Sequence, residues 1–339
     1  MPETPATDRE TRNCACWLFA VAVLIVAMVA IGGITRLTES GLSITQWKPI
    51  SGTLPPLTDA AWQAEFANYR QIDQYAAIHA GMTLGQFKGI FFWEYSHRLL
   101  GRVVGTLALA GWLWFTVRRK IPAGYGWRLF GVPLLIGVQG LLGWLMVASG
   151  LKPGMVEVAP GWLAVHLLTA LFTLTYVLWA ALDLSSRPSR LTPIAAWAGI
   201  ILAVQLLYGA LMAGLRAGKV TDQWPLMNGA FWPGPTETGH SFGYCLTADP
   251  AIVHFIHRWW AWAVVAVLVI LARQLKAIGA RPQSIAIHTA FGTQILLGIA
   301  TVMSGVALKL AALHQLVGAL LVVATVWGAH TLGRMRPAP

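Results

Sequence analysis

Apolar residues in this chain fall into eight long runs, each about the 20 residues that a helix needs to cross a bilayer. They predict spans at 17–36, 94–117, 128–149, 159–182, 192–215, 251–272, 284–305 and 310–332. Polar segments of unequal length separate them. The connections near 118–128, 183–191 and 273–283 are short, whereas residues 37–93 and 216–250 form long segments on the opposite face. Segments of that length carry structure or function more often than not. The first contains amphipathic stretches such as AAWQAEFANY, which predict short interfacial helices capping that face. The first 16 residues are polar and hold acids, so they read as a short disordered tail and not as a cleaved leader.

Composition agrees with the pattern. The chain is 56% hydrophobic and 11% charged, against about 25% charged in a soluble domain. Its mean hydropathy is +0.61. The predicted fold is therefore an all-α membrane protein with eight spanning helices. Charge orients it. The tail, the three short connections and the C-terminus hold 13 Lys and Arg with four acids, while the other side holds 11 basic and nine acidic residues. The positive-inside rule then puts both termini in the cytoplasm, or in a matrix-like compartment, with the long segments on the other side. The net charge of +11 follows from this topology and does not point to nucleic acid. Cys14 and Cys16 lie on the reducing side and Cys245 stands apart, with neither a disulfide pair in the outer loops nor a zinc spacing.

The chain repeats itself. ITRLTESGLSITQWKP after span 1 is echoed by MAGLRAGKVTDQWP after span 5, and EYSHRLLGRV on span 2 by HFIHRWWAWAV on span 6. GVQGLLGWLMVASG on span 3 parallels GTQILLGIATVMSG on span 7. His166 precedes Trp179 by the same interval as His314 precedes Trp327. Four spans per unit give two units of one orientation, related by an axis along the membrane normal. The expected division is a tail (1–16), an N-terminal four-helix bundle (17–186) and a C-terminal one (187–339).

Four histidines sit at matched positions near the outer ends of alternate spans: His97, His166, His257 and His314. An imidazole in hydrocarbon is costly and usually functional. A single one would most simply hydrogen-bond a neighbouring helix. Four at repeat-related positions point to axial ligands for haem iron, one His on each of two facing helices, twice over. Zinc or copper would need further ligands in a compact motif. Arg98 and Arg102 follow His97, and Arg258 follows His257. Their forked donors suit haem propionates; snorkelling to lipid phosphate is the alternative. Part of the Trp complement, including Trp93, Trp259, Trp260 and Trp262, fits an interfacial belt. Glu94 lies one turn before His97, where the other half has His254. A carboxylate there suits proton transfer or stabilisation of a cationic intermediate, or else caps the helix or pairs with Arg98. The asymmetry assigns chemistry to the first half and electron transfer to the second.

Taken together, GGITRLTESGLSITQW, MTLGQFKGIFFWEYSHRLLGR, the His166 segment, FIHRWW and ALHQ resemble the haem A synthase family, in its alphaproteobacterial and mitochondrial form, over nearly the whole chain. EYSHR matches that family's Glu-x-x-His-Arg motif. The resemblance implies His97 and His166 as ligands of a substrate haem O, His257 and His314 as ligands of a resident haem B, and Glu94 as the catalytic acidic residue. It implies oxidation of a ring methyl to a formyl group, with water as oxygen source, to make haem A for cytochrome oxidase in the bacterial inner membrane. The partners expected are an unidentified electron acceptor, haem O synthase and further copies of the chain; GRVVG (101–105) is a candidate for helix packing, either within the chain or between copies. Many bacterial members carry a cysteine pair in the first outer loop; residues 37–93 have none. Two other readings stand beside this one: a membrane cytochrome with two permanent b haems, and a transporter with a midplane site.

Overall fold

The computed structural model describes residues 8–335; residues 1–7 of the tail and Arg336 of the inner charge set lie outside the described residues. Eight helices are long and apolar enough to cross a membrane. In chain order they are α1 (Asp8–Leu37), α4 (Leu84–Val117), α5 (Gly126–Gly150), α6 (Pro160–Ser185), α7 (Pro193–Gly214), α9 (Pro250–Ala277), α10 (Arg281–Met303) and α11 (Leu308–Met335). Three short helices lie in the long segments: α2 (Asp59–Tyr69), α3 (Asp73–Ile78) and α8 (Phe242–Ala248). No strand occurs among the described residues. All-helical spanning segments are what hydrocarbon demands, since every backbone N–H and C=O must be satisfied within its own helix.

Two helix starts differ from the sequence reading. Residues 8–16 are not a disordered tail, because α1 begins at Asp8. Its first turns stay helical by docking on the α4–α5 connection. Cys14 is fully buried with its Sγ 3.8 Å from Lys120 O, Glu10 pairs with Lys120 at 3.4 Å, and Trp17 Nε1 donates to Leu107 O at 2.9 Å. Likewise α4 starts at Leu84, ten residues before the predicted span, under a capping box in which Thr83 and Gln86 satisfy each other's backbone N–H groups. His97 therefore lies nearly four turns into its helix. The extra turns carry Phe87 and Phe91, which bury against Phe66 and Tyr69 of α2. The outer cap thus has an aromatic core of its own, as its amphipathic stretches predict.

In the first half, neighbours α1–α4, α4–α5 and α5–α6 pack in sequence order and α1 closes against α6. In the second, α7–α9, α9–α10 and α10–α11 repeat the order, but α11 leans on α9 more than on α7. The halves meet along α6–α7, α1–α11 and α6–α11. Polar ties fasten that seam at both faces. At the end of the bundle where α1 begins and α11 ends, buried Asp183 accepts from Arg128 Nη1 at 2.9 Å, from Ser189 N at 3.0 Å and from His330 Nε2 at 2.9 Å. At the opposite end, Arg36 donates to Ala213 O at 2.5 Å, while Arg216 pairs with Glu39 at 2.8 Å and also with Glu157. Buried polar groups in an apolar surround are costly unless partnered in this way.

Candidate haem sites

Each histidine is half-buried and packs against a glycine on an adjacent helix. Gly32 of α1 faces His97, Gly143 of α5 faces His166, Gly209 of α7 faces His257 and Gly298 of α10 faces His314. A Cβ at these glycines would lie 3.0, 2.9, 3.1 and 3.0 Å from the respective rings. A side chain there would crowd the imidazole, most at Gly143. His257 and His314 have ring centroids 6.4 Å apart and planes crossing at 81°. Two imidazole–metal bonds of about 2 Å each, with the ring radii added, put centroids roughly 6 Å apart, so one iron fits between them. Among the described residues no third His, Cys, Asp or Glu joins either pair. Two axial donors suit an iron whose other positions a porphyrin fills.

Three of the four rings also meet a glutamine amide. Gln205 Nε2 donates to His257 O at 3.0 Å and lies 3.2 Å from Nδ1 of the same residue. Gln139 Nε2 donates to His166 O at 2.9 Å and lies 3.1 Å from His166 Nδ1. Gln294 Nε2 lies 3.4 Å from His314 Nε2. Sequence reasoning missed these glutamines and the glycines. Their signal was present: Gln139–Gly143, Gln205–Gly209 and Gln294–Gly298 share one Gln-x-x-x-Gly spacing, which places both residues on one helix face.

Glu94 is 2% exposed and fully engaged. It accepts from Ser43 Oγ and Ile44 N, both at 2.7 Å, and from Arg98 Nη2 at 2.6 Å. The i, i+4 pairing with Arg98 is therefore formed, and the outer loop supplies the other two donors. Arg98 also donates to Ile44 O at 2.7 Å and Gln46 O at 3.1 Å. Arg102 donates to Pro49 O and Lys48 O, both at 2.9 Å, and its Nη1 has no partner. Lys48, Tyr95, Arg98 and Arg102 border a small cavity there. In the second half Arg258 donates to Pro225 O at 3.1 Å and Leu226 O at 3.0 Å, and its Nη2 meets His254 Nε2 at 3.1 Å. Its Nε is without a partner. The guanidinium groups thus bond the backbone carbonyls of the two long segments. Ser43 and Ile44 could not be assigned from sequence, because nothing local says that a loop will fold back onto a carboxylate some fifty positions later.

The chain matches the family model described as COX15-CtaA, cytochrome oxidase assembly protein, over residues 15–326. It is similar to a protein of Novosphingobium aromaticivorans named heme A synthase, 52% identical over 98% of this chain and 99% of the relative. A protein of the same name from Sphingopyxis alaskensis is 50% identical over 98% of this chain and 96% of its own length. Another, from Erythrobacter litoralis, is 52% identical, covering 95% and 98% respectively.

Proposed function

The chain belongs to the COX15-CtaA family of cytochrome oxidase assembly proteins, and on that premise we propose that it is a haem A synthase with one haem site in each half. The first half (17–186) grips the substrate, haem O, between His97 and His166. The second (187–339) holds haem B between His257 and His314. The observation that carries this reading is the spacing of His257 and His314, 6.4 Å between ring centroids, in a pattern of imidazole and opposing glycine that recurs in the other half.

The reaction is oxidation of a porphyrin ring methyl to a formyl group, with water supplying the oxygen while electrons and protons leave. Haem B, held by His257 and His314, would supply a one-electron redox centre. Glu94 is the proton-handling group at the substrate end. Its three donors hold the carboxylate in one place, which is what positioned acid–base work requires. Arg98, joined to Glu94 and to two loop carbonyls, serves chiefly as the clamp on that carboxylate. Arg102 Nη1 and Arg258 Nε, both without partners, are assigned to haem propionates. The enzyme sits in the bacterial inner membrane with both termini cytoplasmic and its haem sites toward the periplasm. Haem O synthase and further copies of the chain are its proposed partners.

Purified protein tests this directly. Extracted pigment identified by mass is expected to contain haem B together with haem O or haem A. Haem B alone would instead favour a two-haem electron-transfer cytochrome, and a colourless protein would favour a transporter.

A further inference from the structure

The spacing of Gln139–Gly143, Gln205–Gly209 and Gln294–Gly298 gives three of the four imidazoles the same surround: a glycine under the ring and, one turn away on that helix, an amide against it. In each glutamine Nε2 is engaged, yet Oε1 is buried with no partner. A buried carbonyl oxygen left bare is costly and needs an explanation. When one ring nitrogen of a histidine holds a metal, the other carries the proton, and that N–H almost always donates to an acceptor beyond the metal's own ligands. The bare Oε1 is such an acceptor once the amide turns toward the ring, which for Gln139 and Gln205 exchanges the bond from Nε2 to the histidine carbonyl for one from the ring N–H. Nδ1 of His314 is itself unpartnered.

The fourth surround differs. Gly32 faces His97, but the position one turn before it is Met28. The Met28 side chain lies against α4 beside Gly101, one turn beyond His97. A thioether accepts hydrogen bonds only weakly. His97 therefore lacks the amide partner that the other three possess.

We propose that Gln139, Gln205 and Gln294 are positioning residues that orient His166, His257 and His314 and accept the proton of their non-ligating nitrogen, and that Met28 leaves His97 as the one weakly anchored, exchangeable ligand. Both histidines of the second half are anchored, as a permanently held group requires. In the first half one ligand is fixed and one is loose, as suits a site that must take in a porphyrin and release it. This inference rests on the haem-site assignment above.

The test uses the full-length protein with its bound haem. Gln205→Met and Gln294→Met remove the acceptor at similar volume. Each is expected to raise the midpoint potential of the b-type haem, because a less basic imidazole stabilises ferric iron less, and to speed its transfer to apomyoglobin by about 10- to 100-fold. Gln205→Glu, a stronger acceptor, should lower that potential; a purely structural role would not reverse the sign. Met28→Gln, which supplies the missing amide, should slow release of the first-half haem and leave the haem B potential unchanged. Potentials and transfer rates that match wild type in both Met variants would overturn the proposal, as would a Glu variant that moves with them. A wild-type protein without haem would instead defeat the haem-site assignment, so the two failures are distinct.

Discussion

The two halves of this molecule are built on one plan and differ at two positions that matter. Where the first half has Glu94 paired with Arg98 at 2.6 Å, the second has His254 paired with Arg258 at 3.1 Å, each one helical turn apart. Where the second half has Gln205 against His257, the first has Met28. The first half thus gains a carboxylate pinned by an outer loop and loses an amide that would fix a ring. The second keeps both rings anchored and has no acid beside them. A duplicated scaffold can specialise in this way without changing its helices: on the proposed assignment, one copy alters a molecule and lets it go while the other keeps one.

The largest effect should come from removing the acid. Glu94→Ala is expected to lower formyl production by at least about a hundredfold while leaving both haems bound, measured as haem A yield per bound haem. Normal yield would end the distinction between the halves. The loop clamp is a weaker lever. Ser43→Ala removes one of three donors to Glu94; with two donors left, a loss at the low end for a hydrogen bond to a charged group, about 1.5 kcal/mol, should cut the same yield by roughly tenfold. Equal activity would mean that the loop does not position the acid.

Smaller again is the effect of crowding a ring. Gly209→Ala puts a methyl 3.1 Å from His257 Cε1, whereas Gly199 on the same helix has nothing within 4 Å. The first substitution should speed haem B loss several-fold and the second should not; identical rates would show that the ring does not depend on that gap. The smallest effect concerns the first outer cap, which has no equal in the other half. Burial holds the His79 pKa below 6.5, against an opposing pull from Glu39, and Tyr69 Oη lies 2.5 Å from His79 Nδ1. A histidine with a lowered folded-state pKa contributes stability that is complete above its unfolded value and is lost as pH falls through the folded one. Amide exchange across residues 59–82 should therefore speed up, after correction for intrinsic rates, below about pH 6.5. A pH-independent opening free energy would contradict this.

Much of this was legible in the sequence, and for a physical reason: hydrocarbon imposes length and apolarity on every span, so the eight runs could hardly be read otherwise. The four histidines stood out because imidazole is rare in such runs. The starts of α1 and α4 were not legible. The polar first turns of α1 stay helical by docking on the Lys120 connection, and α4 is extended by a cap whose partners, Phe66 and Tyr69, come from elsewhere in the chain. The donors to Glu94 were hidden for the same reason, since Ser43 and Ile44 act only once the loop has folded back. The Gln-x-x-x-Gly spacing was visible but silent. An amide is seldom a metal ligand, and its meaning emerges only when each glycine is found beneath a ring.

The central claim is that the two halves hold different porphyrins, and the most direct test is to remove ligands one half at a time and identify by mass what remains bound. His257→Ala and His314→Ala should lose haem B and its low-spin spectrum while retaining haem O or haem A. His97→Ala and His166→Ala should do the reverse. Loss of the same porphyrin from both pairs of variants would contradict the account.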